Sequence, residues 1–214
     1  GKKLDYDRLA EILKEVETQD AITADIEDML MLVPTPVPPI YTLMMYAGRF
    51  CFAGHPEYTR VLEKLRNDAQ RRMDTGIPGL KSGTEKLRVL MCYIDHYTVN
   101  VNFYHYLEER GIANTGSILT RNFRDFNPYC AELEGSCYGI DISSPEAMLD
   151  TVAQMNARLP MVRSIRGPYD QPNMWLEESI SLVRMYKADC IIYNGTPGCR
   201  NTWVRARIAW YPRF

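Results

Sequence analysis

The chain has 214 residues, 46% of them hydrophobic, with a formal net charge of −2 at neutral pH. That length and apolar fraction suit one domain with a sizeable core, or a domain carrying a helical extension. The charge balance offers no basic excess for nucleic acid and no polybasic run for an anionic membrane, and no apolar stretch approaches the ~20 residues of a membrane helix.

In chain order, residues 5–33 are expected to be helical. Leu9, Ile12, Leu13, Val16, Ile26, Met29, Leu30 and Val33 recur at three- and four-residue steps, and Asp5 and Asp7 favour the N-terminus. Pro34-Thr35-Pro36-Val37-Pro38-Pro39 ends this helix, because proline removes donors and pushes its predecessor out of the helical region. Ile40 to Phe52 is a second helix, apolar enough to be buried. Pro56 opens a third, running to about Met73 with Tyr58, Val61, Leu62, Leu65 and Ala69 inward.

Residues 75–83 form a loop, taken as the boundary between a helical segment (1–80) and an α/β domain (86–214). Leu87 to Ile94 is nearly all apolar, as a parallel strand covered on both faces should be. Val99 to Arg110 is a helix closed by Gly111. Ile112 to Leu119 is a second strand, weakened by Asn114, Thr115 and Gly116. Arg121 to Ile142 is irregular and longer than usual α/β connections. Ser144-Pro145-Glu146 supplies a cap, an N1 proline and an early acid for a helix to about Leu159. Pro172 to Tyr186 is helical, and Cys190 to Tyr193 is a short buried strand. Helices alternating with buried strands give an α/β fold: an incomplete Rossmann-like parallel sheet flanked by helices and preceded by a helical segment. The sheet lacks the strand expected after its last helix, so the domain is expected to be truncated at its C-terminus.

Six cysteines (Cys51, Cys92, Cys130, Cys137, Cys190, Cys199) in a chain this long do not make a secreted disulfide framework, which favours a reducing cytoplasm. No signal peptide opens the sequence, and its start at Gly1 suits a fragment or processed chain. After the Cys190 strand, Asn194-Gly195-Thr196-Pro197-Gly198 forces a turn and Cys199 stands where a helix begins. Backbone N–H groups and the helix dipole there favour a thiolate, the form that attacks electrophiles and binds metals. The carboxyl end of a strand is also where open α/β sheets hold ligands. Asp95 and His96 follow the Leu87–Ile94 strand and reach the same edge, where His96 could transfer a proton near neutral pH. His55 and His105 are assigned structural roles. Arg121, Arg124, Arg163 and Arg166 stand in two loops, where guanidinium forks suit phosphate but isolated arginines are most often solvated charges. No P-loop and no G-x-G-x-x-G opens a helix, so neither familiar nucleotide loop is present.

The succession Gly1-Lys2-Lys3-Leu4-Asp5-Tyr6-Asp7-Arg8-Leu9, the proline-rich linker, Lys86-Leu87-Arg88-Val89-Leu90, Tyr106-Leu107-Glu108-Glu109-Arg110-Gly111 and Ala188 to Trp203 resembles the 2-hydroxyacyl-CoA dehydratase family. This is the 2-hydroxyglutaryl-CoA dehydratase D-component type, which also includes benzoyl-CoA reductase subunits. Ile191-Ile192-Tyr193-Asn194-Gly195-Thr196-Pro197-Gly198-Cys199-Arg200 is its most specific part. The resemblance implies a [4Fe–4S] cluster with Cys199 as one ligand and an acyl-CoA substrate. It also implies a paralogous second subunit and an ATP-hydrolysing activator protein that supplies a low-potential electron. The implied chemistry is ketyl-radical dehydration of a 2-hydroxyacyl-CoA to a 2-enoyl-CoA, with Asp95 and His96 in the substrate pocket. Alternatives are a benzoyl-CoA reductase-type subunit, or a paralogous partner without catalysis. The family's other cluster cysteines lie upstream, so the remaining ligands are expected outside this chain, which alone should be inactive. Near Cys92 the family's glycine/proline-rich turn is replaced by Cys-Tyr-Ile-Asp-His.

Overall fold

The computed structural model describes residues 3–91, 101–117, 139–158 and 174–192, with the side chains of 156–158 and 174–178 not described. Three helices come first: α1 (Tyr6–Leu30), α2 (Ile40–Phe52) and α3 (Pro56–Asp74). Each begins where local chemistry dictates. The Asp5 carboxylate accepts from the Arg8 N–H at 2.9 Å and caps α1. His55 Nδ1 accepts from the Glu57 N–H at 3.3 Å, and Pro56 takes the first helical position of α3. His55 is thus structural, as its position before Pro56 suggested.

Helix α1 is buried along much of its length, and its buried positions include Gln19, Asp20, Thr23 and Glu27 beside Leu13, Val16, Ile22, Ile26, Met29 and Leu30. Polar groups survive there because they are satisfied. Gln19 donates to the His55 carbonyl and to Thr59 Oγ1, and accepts from the Gly54 N–H. Asp20 faces Arg49 at 3.5 Å.

Two burial expectations are corrected. Helix α2 has the predicted span but is not buried all round: Thr42, Met45, Tyr46 and Gly48 are buried, whereas Met44, Phe50 and Phe52 are exposed. Its apolar composition exceeds the face that α3, α4 and β2 cover. Val33 and Val61 are likewise exposed. Val33 lies past the end of α1, and Val61 stands on the outer side of α3, next to the buried Leu62.

The sheet has strands β1 (Leu87–Met91), β2 (Ile112–Ser117) and β3 (Cys190–Ile192), ordered β2-β1-β3 and parallel throughout. The parallel α/β expectation holds, as does the unclosed sheet among the described residues. Helix α4 (Val101–Arg110) links β1 to β2 and ends at Gly111 with φ +76°, the left-handed cap that the sequence signalled. Helices α5 (Pro145–Arg158) and α6 (Met174–Tyr186) precede β3. Ser144 Oγ accepts from the Ala147 N–H at 3.1 Å, the cap expected for α5.

Alternation along β1 sorts the layers. Val89 and Met91 pack with Leu107 and Phe103 of α4. Leu90 packs on the other face with Ile26, Leu30, Leu62 and, from α6, Leu182, Met185 and Tyr186. One core therefore runs from the first helices into the sheet. The buried-strand expectation for Cys190 onward is half corrected: β3 forms, but Cys190 and Ile191 are exposed, because this outer strand pairs only with β1 among the described residues.

Arg88, on the same face as Leu90, joins these parts. Its guanidinium donates to the carbonyls of Leu30 and Tyr186, which end α1 and α6, to that of Leu32 just beyond α1, and to Glu85 Oε1 at 2.6 Å. Glu85 Oε2 in turn accepts from the Thr35 N–H at 2.6 Å. The Arg88 N–H donates to Asp189 Oδ2 at 2.7 Å, and the Asp189 N–H returns to the Arg88 carbonyl at 2.9 Å.

Candidate functional site

Parallel pairing gives the sheet one carboxyl edge, and the register brings two chain exits together there. Met91 at the end of β1 is the register partner of Ile192 at the end of β3, and on its other side of Ser117 at the end of β2. The order of strand addition switches sides about β1, with β2 reached first on one side and β3 later on the other. Open sheets of this order hold ligands outside the strand ends at such a switch point. Asp95 and His96 follow β1, and Cys199 follows β3. All three lie outside the described residues, as do Arg121, Arg124, Arg163 and Arg166.

Beneath this edge the described residues form a polar floor that sequence reasoning missed. Asn114, Thr115 and Ser117 of β2 are almost wholly buried. The Asn114 amide donates to Thr42 Oγ1 at 2.7 Å and its carbonyl accepts from the Gly116 N–H at 3.1 Å. Thr115 Oγ1 donates to the Val89 carbonyl at 3.0 Å. The ladder slips between Val89 and Met91, and Gly116 adopts φ +94°. Only glycine tolerates that backbone readily, and bulges of this kind are frequent beside active sites. The polar run that weakened the strand reading is thus the bulged strand itself.

A cavity of about 20 Å³ lies at this floor, lined by Glu27, Leu30, Thr42, Met45, Thr115, Gly116, Ser117 and Tyr186. Glu27 is 5% exposed. Its sequence signal was faint but present: it stands one turn beyond Thr23 and one before Leu30, inside the inward stripe of α1.

Away from this edge, His105 lies midway along α4. Its Nδ1 is 3.2 Å from Lys81 Nζ and 3.6 Å from Glu108 Oε2. Cys190 opens β3, paired with Val89. Although Cys190 is exposed at the sheet edge, partial desolvation pushes its thiol pKa up, and the neighbouring Asp189 charge adds to the rise. Cys51 is an unbridged, exposed cysteine on α2. Among the described residues no three His, Cys, Asp or Glu side chains converge as a metal-holding group. A cubane cluster takes four ligands, ordinarily thiolates, so the described residues do not by themselves fit one. Nor, among the described residues, is any helix long and apolar enough to cross a membrane.

A search of curated proteins finds no match. Against known families, the sequence matches the 2-hydroxyglutaryl-CoA dehydratase D-component over residues 1–209. That span takes in the helical segment, the sheet and the Cys199 segment together. A D-component is one part of a dehydratase, which places the protein coarsely among lyase components that work with other subunits. The chain belongs to the 2-hydroxyglutaryl-CoA dehydratase D-component family.

Proposed function

We propose that this chain is a subunit, or part of one, of an enzyme dehydrating a 2-hydroxyacyl-CoA to the 2-enoyl-CoA. In this reading Cys199 is one thiolate ligand of a [4Fe–4S] cluster whose other ligands come from outside this chain. The family match over residues 1–209 carries the proposal. The register of Met91 with Ile192 supports it, since the chain leaves toward Asp95 and His96 beside the point where it leaves toward Cys199.

The net reaction removes a hydroxyl from C2 and a proton from C3 and leaves the acyl group at its original oxidation level. The C3 proton is not acidified by the thioester, so a base alone does not suffice; a cluster held by Cys199 and by ligands outside this chain would supply the low-potential electron that the reaction needs. Within this chain, His96 is the group suited to hold the departing proton, because imidazole exchanges protons near neutral pH. Asp95 beside it is suited to orient the imidazole or the substrate. A paralogous subunit and an ATP-dependent activator protein complete the system.

The test is an anaerobic assay of the full-length parent with its partner subunit and activator, following 2-enoyl-CoA formation. His96→Gln should lower kcat by about 10²–10⁴-fold, the usual weight of a general acid–base group, with iron content unchanged. Full activity in that variant would remove His96 from the mechanism. Reduction of benzoyl-CoA with no turnover of any 2-hydroxyacyl-CoA would assign the subunit to aromatic-ring reduction instead.

A further inference from the structure

The cavity at the end of β2 is too small for an acyl group but matches one water molecule, which needs roughly 10–15 Å³ of free space and two to four polar partners. Its volume is about 20 Å³. Of its lining, Glu27, Thr42, Thr115, Ser117 and Tyr186 carry side-chain oxygens, and all five are under 6% exposed. Glu27 and Ser117 already take part in other interactions, but a carboxylate has about four acceptor positions and a hydroxyl two. Thr42 Oγ1 donates to the Pro39 carbonyl at 3.0 Å and accepts from Asn114, which leaves one lone pair. Thr115 has committed its proton to Val89. Leu30 and Met45 make part of the wall apolar, but the oxygens of Glu27, Thr42, Thr115 and Ser117 give a water the partners that a wholly apolar, dry cavity lacks.

We propose that this cavity binds a single water molecule through Glu27, Thr42 and Ser117, and that the water fixes the bulged carboxyl end of β2. The consequence is positional. Gly116 is held through Asn114 and Thr42, and Ser117 is the register partner of Met91, so the water buttresses the strand end beside the candidate site from below. Glu27, Thr42 and Ser117 are positioning residues here, independent of which reaction the edge supports.

A high-resolution crystal structure of the full chain, paired with amide hydrogen exchange, tests this. The native protein should show one water within hydrogen-bond distance of Glu27 and Ser117. Ser117→Ala removes a ligand without touching the Asn114–Thr42 bond. It should empty the cavity and speed exchange at Gly116 about tenfold while Leu90, elsewhere in the sheet, is unchanged, because local opening is separable from global unfolding. Glu27→Gln, which keeps a hydrogen-bonding amide, should retain the water and exchange within about twofold of native. An empty cavity in the native protein overturns the proposal. So does a Ser117→Ala protein whose Gly116 exchange is unaltered or rises only in step with Leu90.

Discussion

Arg88 occupies the middle of a parallel sheet, in a strand otherwise made of Leu, Val and Met. A buried charge is tolerated only when paired and hydrogen-bonded, and Arg88 spends its donors on Glu85 and on carbonyls at two helix ends. Removing one partner strands the other, so Arg88→Met should cost about 3–5 kcal/mol in urea unfolding. Combining it with Glu85→Gln should recover part of that loss; a single variant within about 1 kcal/mol of native would mean that the pair is not buried as described. Asp68 behaves differently because it is partly exposed. Burial alone would raise its pKa, but hydrogen bonds from Arg72, Tyr41 and Arg71 outweigh this and hold it at about 2, against an ordinary 3.8. A depressed carboxylate pKa stabilises the fold above the unfolded value, and that contribution is lost as pH falls through the folded one. Stability should therefore decline from about pH 4 to about pH 2, by at most ~1 kcal/mol given screening. Asp68→Asn should flatten that limb of the pH–stability curve; an unaltered slope would exclude Asp68 as its source. For Cys190, alkylation mapped by mass spectrometry should reach half its maximal rate above the ordinary thiol value of 9.0, since burial and Asp189 both oppose the thiolate. A midpoint below it would contradict this surrounding.

Among the elements, those with local punctuation were legible and those set by tertiary contact were not. Asp5, Pro56 and Ser144 each marked a helix start, and Gly111 a helix end, by chemistry that acts within one turn. The apolar run of β1 likewise announced a strand buried on both faces. The exposed side of α2 was illegible, because Met44, Phe50 and Phe52 carry no record of which face its neighbours leave open. In β2, the polar residues read against a strand because their partners, Thr42 and the Val89 carbonyl, lie far away in sequence. Of the candidate site, the shared edge of the strand ends followed from strand order; Glu27 was marked only by its place in the inward stripe of α1, and the bulge was not marked at all, since it depends on contacts far away in sequence. Gly79 is an element-scale case that contacts decide. Its N–H donates to the Thr35 carbonyl at 2.8 Å, and a Cβ there would overlap the backbone of Val37 and Pro38. Backbone cannot swing aside as a side chain does, so Gly79→Ala should destabilise by about 1–3 kcal/mol by overpacking. Native-like thermal unfolding of that variant would show that the loop after α3 has room to move.

At the scale of the whole molecule, the helical layer and the sheet share one apolar core, and Arg88 ties the ends of α1 and α6 to β1. This arrangement leaves the carboxyl edge of three parallel strands as the natural place for chemistry, with a polar floor under β2 and the chain exits of β1 and β3 side by side. Family membership puts the chain among dehydratase components. In the proposed function Cys199 binds iron there. Its most direct test is the iron content and electron paramagnetic resonance spectrum of the full-length parent, made anaerobically with its partner subunit and reduced, with and without Cys199→Ala. Ligation by Cys199 should give a cubane signal in the native enzyme that is lost or altered in the variant, with iron reduced in step. A protein without iron, or one whose signal and iron content are the same in both forms, would contradict it.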